Sequence, residues 1–354
     1  MSRIGVGIIG LSAGAGWAAR SHLPALRALG DRFAITAVAG SSPERSRAAA
    51  SDYAIPFAAD SADALAAHAD VDLVVVAVKV PEHRRLVEAA LAAGKAVLCE
   101  WPLAVDAAEA DRLARAAADA RIKTFVGLQA RGTAAVQRLA QLIADGAIGD
   151  ILASNISAAV GVPWAGVTDS SRTYLNRTAS GATMLTIPFG HCLDAMTLVL
   201  GDYAQWSAEL VTRRTETLVK DEGVIIPTDV ADQIMVAGRL ASGAAASLHY
   251  RGGLSAAGNF RWEINGTKGD ILVTGGDGHL QYGLVEIALA KTGKALAPLA
   301  LPADPLPPHA RAIAAQYRAI HAALAGAPST VPDFAHAAAL HHKLGAIAAK
   351  GTAS

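Results

Sequence analysis

The sequence predicts an α/β protein of two domains, a doubly wound parallel sheet followed by an α+β domain with a mainly antiparallel sheet. Three observations carry this. Over the first 128 residues, buried strand patterns alternate with helical ones, which requires right-handed crossovers and a parallel sheet. Beyond about residue 130, β-like runs follow one another with turn signals such as Asn265-Gly266 and Gly275-Gly276 between them, the pattern of neighbouring antiparallel strands. The 354 residues, 52% of them apolar, exceed what one ordinary hydrophobic core accommodates. The expected domains are 1–128 and 129–354, with the C-terminal helices free to pack back on the N-terminal domain.

Residues 4–10 read as a buried parallel strand ending at Gly10, followed by the loop Leu11-Ser12-Ala13-Gly14-Ala15-Gly16. A helix is expected from Trp17 to about Leu29, bent or restarted by Pro24. A second strand covers 33–39, and a helix opens at Pro43, where proline suits the first turn. The third strand spans 72–80, a helix follows over 82–93, and Gly94 stops it. A fourth strand, 96–99, leads into Glu100-Trp101-Pro102. A helix over 107–120 and a fifth strand over 124–128 complete the pattern. In the second domain a helix is expected at 134–145, then strands at 151–160, 206–213, 230–240, 244–251, 260–265, 270–273 and 279–288. A helix at 184–200 interrupts them. A proline-rich connector, 298–308, precedes two terminal helices at 308–325 and 333–349.

Composition removes several function classes. Lys plus Arg and Asp plus Glu each number 31, so the net charge is zero and the basic excess of a nucleic-acid binder is missing. No stretch reaches the roughly 18 to 20 apolar residues that span a bilayer. The start, Met1-Ser2-Arg3-Ile4-Gly5, runs directly into a strand pattern, which argues against a signal peptide. Cys99 and Cys192 alone make no disulfide framework, so a cytoplasmic location is expected.

The strand, glycine-rich loop and helix at 4–29 supply the geometry in which backbone N–H groups and a helix dipole receive a diphosphate. This predicts a Rossmann dinucleotide-binding domain, with Gly10, Leu11, Ser12, Gly14, Gly16 and Trp17 around the coenzyme. The motif is imperfect: Ser12 stands at the second glycine of G-x-G-x-x-G, and a glycine turn in another α/β fold is the alternative. At the end of the second strand, Ala39-Gly40-Ser41-Ser42-Pro43-Glu44-Arg45 lacks the acid that NAD sites place there. Ser41, Ser42 and Arg45 are suited to a 2′-phosphate, so NADP is preferred over NAD. The alternative is that Ser42 caps a helix and Arg45 is solvated.

Val6-Gly7-Ile8-Ile9-Gly10, His22-Leu23-Pro24-Ala25-Leu26, Glu100-Trp101-Pro102-Leu103 and Gly266-Thr267-Lys268-Gly269-Asp270 together resemble the glucose–fructose oxidoreductase, inositol dehydrogenase and rhizopine-catabolism (Gfo/Idh/MocA) family. The resemblance covers nearly the whole chain. It implies a Rossmann domain followed by an α+β domain with a large open, mainly antiparallel sheet. It also implies assembly through that sheet into a homodimer or homotetramer, and a sugar-like or polyol substrate. Two departures matter. The family's Glu-Lys-Pro has Trp101 in place of its lysine. The family's Asp four residues before His is replaced by a shifted spacing, with Thr186 near that point, although His191 and Asp194 keep the His-x-x-Asp ending. Gly16-Trp17-Ala18, Val78-Lys79-Val80-Pro81-Glu82-His83, Ile187-Pro188-Phe189-Gly190-His191 and Asp232-Gln233-Ile234 are similar to a sub-branch containing the fungal galactose-regulon repressor. That similarity implies coenzyme contacts near Val78, Lys79 and His83 and weakens the case for ordinary catalysis.

Hydride transfer from a carbinol needs a base beside the nicotinamide. His191 is the first candidate, because imidazole titrates near neutrality; a buried structural histidine is the alternative. Lys79, at the carboxyl edge of a strand, is the second and stands in for the missing family lysine; a salt bridge to Glu100 or Glu82 is the alternative. Glu100 is expected beside the nicotinamide ribose. Trp101 is expected against the coenzyme or a sugar face, or as a lid. Gln129 is expected near the coenzyme, and Arg131 at the substrate or in an interdomain ion pair. Tyr174 and Asn176 are placed among the substrate contacts with His191 and Asp194, with a solvated connector as the alternative. The spacing of His336, His341 and His342 does not suit shared metal ligation, and no metal is expected. The reading is an NAD(P)-dependent oxidoreductase; the alternatives are a non-catalytic dinucleotide-binding regulator and a redox-cycling lyase or glycosidase.

Overall fold

The computed structural model describes residues 3–14 and 16–351; Met1 and Ser2 of the opening segment and Ala15 of the glycine-rich loop lie outside the described residues. The chain divides into two compact units, Met1–Gln129 with Asp304–His341, and Ala130–Ala303 with His342–Ser354.

The first unit is built on strands β1 (Ile4–Ile9), β2 (Phe33–Ala39), β3 (Phe57–Ala58), β4 (Leu73–Val76), β5 (Ala96–Glu100) and β6 (Thr124–Gly127). They form one sheet in the order β3-β2-β1-β4-β5-β6, every pair parallel. This is the strand order of a dinucleotide-binding fold, in which the order of winding reverses between β1 and β4 and leaves a crevice at their carboxyl ends. Gly10 makes that approach possible. A Cβ on Gly10, which has φ +98°, would sit 2.4 Å from the Ala77 carbonyl oxygen, so only glycine fits where the two strand ends meet.

The helices are α1 (Trp17–Arg20), α2 (His22–Ala28), α3 (Pro43–Tyr53), α4 (Ala62–Ala67), α5 (His83–Ala92) and α6 (Ala107–Ala120). The helix expected over 17–29 is indeed interrupted, at Ser21, whose hydroxyl donates to the Trp17 carbonyl at 2.7 Å. Pro24 has no N–H to reach the carbonyl four residues earlier, so the first turns cannot run on without a break. The third strand is shorter than the predicted 72–80. It ends at Val76, and Val80–Glu82 form a 3₁₀ turn, with Pro81 unable to continue a ladder. Val78 and Lys79 therefore sit beyond the strand end.

The segment 304–341 belongs to this first unit and not to the second domain. Its helix, Pro308–Leu324, inserts Ala310, Ile313, Ala314, Tyr317 and Ile320 into the core formed by Val6, Ile8, Leu26, Phe33, Val75 and Phe125. Burying side chains as large as Ile313 and Ile320 stabilises by about 1.5–3 kcal/mol each, which is what draws a distant segment back to this sheet.

The second unit opens with helix α7 (Ala134–Ala144), and its strands are β7 (Ile151–Val160), β8 (Val167–Thr168), β9 (Tyr203–Val211), β10 (Glu216–Val219), β11 (Val224–Pro227), β12 (Gln233–Leu240), β13 (Ala245–Gly252), β14 (Phe260–Gly266), β15 (Gly269–Gly275), β16 (Val285–Lys291) and β17 (Ala297–Leu299). Eight of them make a large open sheet, β17-β16-β15-β14-β7-β13-β12-β9, antiparallel except for β7 beside β13. A small sheet, β11-β10-β8, stands apart from it. Burial alternates along the large sheet: Ala246, Leu248 and Tyr250 of β13 point inward, while Ser247, His249 and Arg251 face the other side, half-buried. Residues 279–288, expected as one strand, are instead a 3₁₀ turn over Leu280–Tyr282 and then β16. Gly283, at φ +67°, breaks the extended run.

The helix expected at 184–200 is α8 (Gly190–Leu200) preceded by a π turn, Leu185–Phe189. Pro188 lacks an N–H for the Met184 carbonyl, and Phe189 N–H takes that acceptor at 3.2 Å, five residues back. The turn thus holds one residue more than an α-helical turn. It falls in the stretch before His191 where the spacing differs from the family pattern.

Candidate functional site

In the first unit the site is built around Glu100, the last residue of β5, which is 9% exposed. Its Oε2 accepts from Trp17 Nε1 at 2.9 Å and from Gln129 Nε2 at 3.1 Å, and its Oε1 accepts from His22 Nε2 at 3.0 Å. His22 Nδ1 lies 2.7 Å from the Tyr317 hydroxyl. With Nε2–H given to the carboxylate, Nδ1 is left as acceptor for the phenol. Burial, and then the Glu100 charge, raises the Tyr317 phenol well above its usual range, so it is the neutral donor. The structure thus brings together three predicted coenzyme residues, Trp17, Glu100 and Gln129. Glu100, expected at the nicotinamide ribose, instead spends its lone pairs on protein donors, because an unpaired buried carboxylate is costly. His22 and Tyr317 were not assigned a role from sequence. The only signal was the His-Leu-Pro run, which carries no partner information.

Gln129 is buried, and its Oε1 has no hydrogen-bond partner among the described residues. Trp101 is 5% exposed and packs its ring on His341 of the terminal helix, centroids 4.7 Å apart, rather than offering an open stacking face. His341 Nε2 also accepts from the Ala104 N–H at 3.4 Å. The Trp101–Pro102 peptide is cis. His83, expected at the coenzyme, is buried with Nε2 3.1 Å from the Val78 carbonyl and Nδ1 3.3 Å from both the Leu103 carbonyl and Cys99 Sγ. Burial lowers its pKa and raises that of Cys99 well above the thiol range, so a neutral imidazole and a neutral thiol brace the chain around β5. Lys79 is exposed and lies just ahead of the 3₁₀ turn, where its carbonyl accepts from the Glu82 N–H.

At the glycine-rich turn Leu11 is buried and Ser12, Gly14 and Gly16 are exposed. Gly14 and Gly16 have φ of +67° and +96°, and among the described residues, chain neighbours aside, no atom lies within 4 Å of where a Cβ would stand on either. Gly16 caps α1 without a side chain over its first N–H groups. An exposed turn with glycines at Gly14 and Gly16, and a helix start that no side chain caps, fits a diphosphate. At the end of β2, Ser42 accepts from the Arg45 N–H as the cap of α3, while Arg45 Nη1 donates to Ser41 Oγ at 3.3 Å. Ser42 is therefore a cap, and Ser41 and Arg45 are left as an exposed pair with no acidic residue at the strand tip.

In the second unit His191 stands in the first turn of α8 and is 3% exposed; its Nδ1 has no partner among the described residues. Burial lowers its pKa to about 3, opposed by the Asp194 carboxylate and reinforced by His279. His191 is thus a neutral acceptor across the physiological range. Arg131 and Asp194, both expected at the substrate, pair with each other: Arg131 Nε donates to Asp194 Oδ2, and Asp194 is 2% exposed. A carboxylate so deeply buried needs its cation.

His279 was missed by the sequence reading. Gln281 Nε2 lies 2.8 Å from its Nδ1, Tyr282 stacks on its ring at 4.9 Å, and Trp164 lies 6.0 Å away. Gln281 is buried with Oε1 unpartnered among the described residues. Asn176 is 1% exposed and lines a small cavity of about 10 Å³ with Trp164, Arg214, Thr217, Thr228 and Asp232. Its Oδ1 accepts from Thr217 and Thr228 at 3.3 and 3.5 Å, and Nδ2 has no partner among the described residues. Tyr174 is half-buried, and desolvation raises its phenol pKa. Among the described residues no group of three His, Cys, Asp or Glu side chains is placed to hold a metal, and no helix is long and apolar enough to cross a membrane.

The parallel six-stranded order and the open glycine-rich turn fit a dinucleotide-binding Rossmann fold. Residues 4–128 match the oxidoreductase family with NAD-binding Rossmann fold, and residues 134–275 match the C-terminal domain of Gal80p. Over these two segments the chain resembles the Gfo/Idh/MocA oxidoreductases and Gal80. It is 37% identical over 213 residues to the dehydrogenase aclE of Aspergillus oryzae, a match covering 57% of this chain and 56% of that protein. It is 29% identical over 299 residues to the galactose/lactose metabolism regulatory protein GAL80 of Kluyveromyces lactis, covering 78% of this chain and 65% of that one. The chain thus spans about half to two thirds of the length of these relatives. The crystal structure of a super-repressor mutant of Gal80p from Saccharomyces cerevisiae superposes with a TM-score of 0.91 at 24% identity, over 99% of this chain and 96% of that one. That likeness concerns the fold.

Proposed function

We propose that the chain is an NAD(P)-dependent oxidoreductase that acts on a sugar-like or polyol substrate by hydride transfer, with NADP the preferred coenzyme. The observation that carries the catalytic reading is His191, a buried neutral imidazole whose Nδ1 has no hydrogen-bond partner among the described residues. Gly10, Gly14 and Gly16 would hold the diphosphate, and Ser41 with Arg45 the 2′-phosphate. The nicotinamide, when bound, supplies hydride acceptance from a carbinol. His191 accepts the hydroxyl proton, Asp194 and Arg131 fix the face of α8 that carries it, and Lys79 is the second proton-handling candidate. Tyr174 and Asn176 are assigned to substrate contacts.

The open, partly polar face of the large sheet supports assembly into a homodimer or homotetramer, and two free, buried cysteines support a cytoplasmic setting. A screen of sugars and polyols at 340 nm with each coenzyme tests the reading. Turnover with NADP supports it, and tight NADP binding without turnover of any of them overturns it.

A second reading, a dinucleotide-binding regulator, is favoured by Trp101. It replaces a proton-carrying lysine and is closed against His341. The likeness to GAL80 supports it as well.

A further inference from the structure

The glycine-rich turn is held by a residue that the coenzyme motif does not contain. Tyr53, the last residue of α3, is half-buried against the core of the first unit. Its hydroxyl accepts from the Gly14 N–H at 2.9 Å and donates to the Ser12 carbonyl at 3.1 Å. Among the described residues, chain neighbours aside, nothing lies within 4 Å of where a Cβ would project from Gly14, and its φ of +67° is one that glycine adopts and leaves freely. A turn of this kind has many shapes in solution, and selecting one of them on binding costs affinity. The Tyr53 ring is anchored in turn by its surroundings: its main-chain carbonyl accepts from Arg27 Nη2 at 2.9 Å, and Ala54 beyond it closes α3 in the left-handed conformation. The phenol is thus a fixed post, and two main-chain groups of the turn are tied to it. The bond to Ser12 has a second effect. A peptide carbonyl turned toward an anion repels it, and a hydroxyl donated to that carbonyl offsets its negative end.

Resting on the coenzyme reading above, we propose that Tyr53 is a positioning residue for the coenzyme diphosphate: its hydroxyl clamps Ser12 and Gly14 so that the turn is shaped before the anion arrives. The ribose and nicotinamide contacts do not depend on it.

Tyr53→Phe removes one oxygen and keeps the packed ring. Calorimetric titration of the full chain with NADPH, ADP and adenosine separates the diphosphate from the rest of the ligand. The variant is expected to weaken NADPH and ADP by about fivefold to tenfold, the loss for one or two hydrogen bonds, and to leave adenosine unchanged. Amide exchange at Gly14 in the unliganded chain is expected to quicken about tenfold or more, with the amides of α3 unchanged. Unaltered ADP affinity overturns the proposal, as does tighter binding, which would mean that the phenol competes for the Gly14 N–H. So does unaltered exchange at Gly14. A wild-type chain that binds neither NADPH, NADH nor ADP overturns the coenzyme reading itself, and the exchange measurement still reports on the clamp.

Discussion

His22 Nε2 donates to Glu100 Oε1 at 3.0 Å across 78 residues of sequence, and this buried pair ties the helix after the glycine-rich turn to the end of β5. Trp17 binds the other oxygen of the same carboxylate, so both helices that follow the turn are fastened to one side chain. The carboxylate thereby fixes where α1 begins, and with it the N–H groups offered to a diphosphate.

Removing that charge is expected to loosen the first unit. Glu100→Gln replaces a charged acceptor of three donors with a neutral one, and a hydrogen bond to a charged group contributes about 1.5–3 kcal/mol. Urea denaturation should show a loss of about 2–3 kcal/mol. Tyr317→Phe, which removes only the outer phenol of the chain, should cost about 1 kcal/mol.

Coenzyme preference is expected to reside in Arg45. Arg45→Ala should lower NADPH affinity by about tenfold or more, since charge-assisted bonds to phosphate are among the stronger ones, and leave NADH within about twofold. Titration of both coenzymes checks this. Equal losses for the two would place Arg45 outside the 2′-phosphate site.

For the reaction, His191→Asn should reduce kcat by about 10²- to 10⁴-fold, the usual contribution of a positioned acid or base, with NADPH affinity unchanged. Steady-state and binding measurements on the same preparation separate these effects. A variant with undiminished kcat would move the proton-handling role to Lys79.

Stability should fall on the acid side. The native pKa of His191 is lowered to about 3 from an ordinary value of 6.5, so the unfolded chain binds the proton that the folded chain refuses. The contribution is present above about pH 6.5 and is lost as pH falls toward 3, at up to about 1.4 kcal/mol per pH unit for one group. His83, lowered for the same reason, adds to the effect. The urea midpoint should drop between pH 7 and pH 5, and His191→Asn should flatten that drop.

Much of the candidate site was legible at the level of residue identity. The turn from Gly10 to Gly16 and the place of His191 come from local signals, a strand pattern ending at glycine and a histidine beside an apolar helix, whereas the Ser42 cap was the alternative to the coenzyme contact expected there. Roles were less legible. Glu100 and Asp194 look like ligand contacts because they are acids near expected strand and helix ends, yet each is taken by a protein partner. Trp101 looks like a stacking surface and is covered by His341, 240 positions later in the chain.

The sequence by itself determined the two kinds of sheet, the positions of most strands and helices, and the bare glycine turn. These depend on periodicity, capping and backbone freedom, which act within a few residues. Only the tertiary structure decided that the helix Pro308–Leu324 joins the first unit, that β7 lies parallel to β13, and that Tyr53 grips Gly14. It also decided that Trp164 stands beside His279, ring centroids 6.0 Å apart. Each of these unites residues about 40 to 300 positions apart. Such pairings are selected by burial of apolar area and by the need of every buried polar atom for a partner, and both belong to the folded chain as a whole.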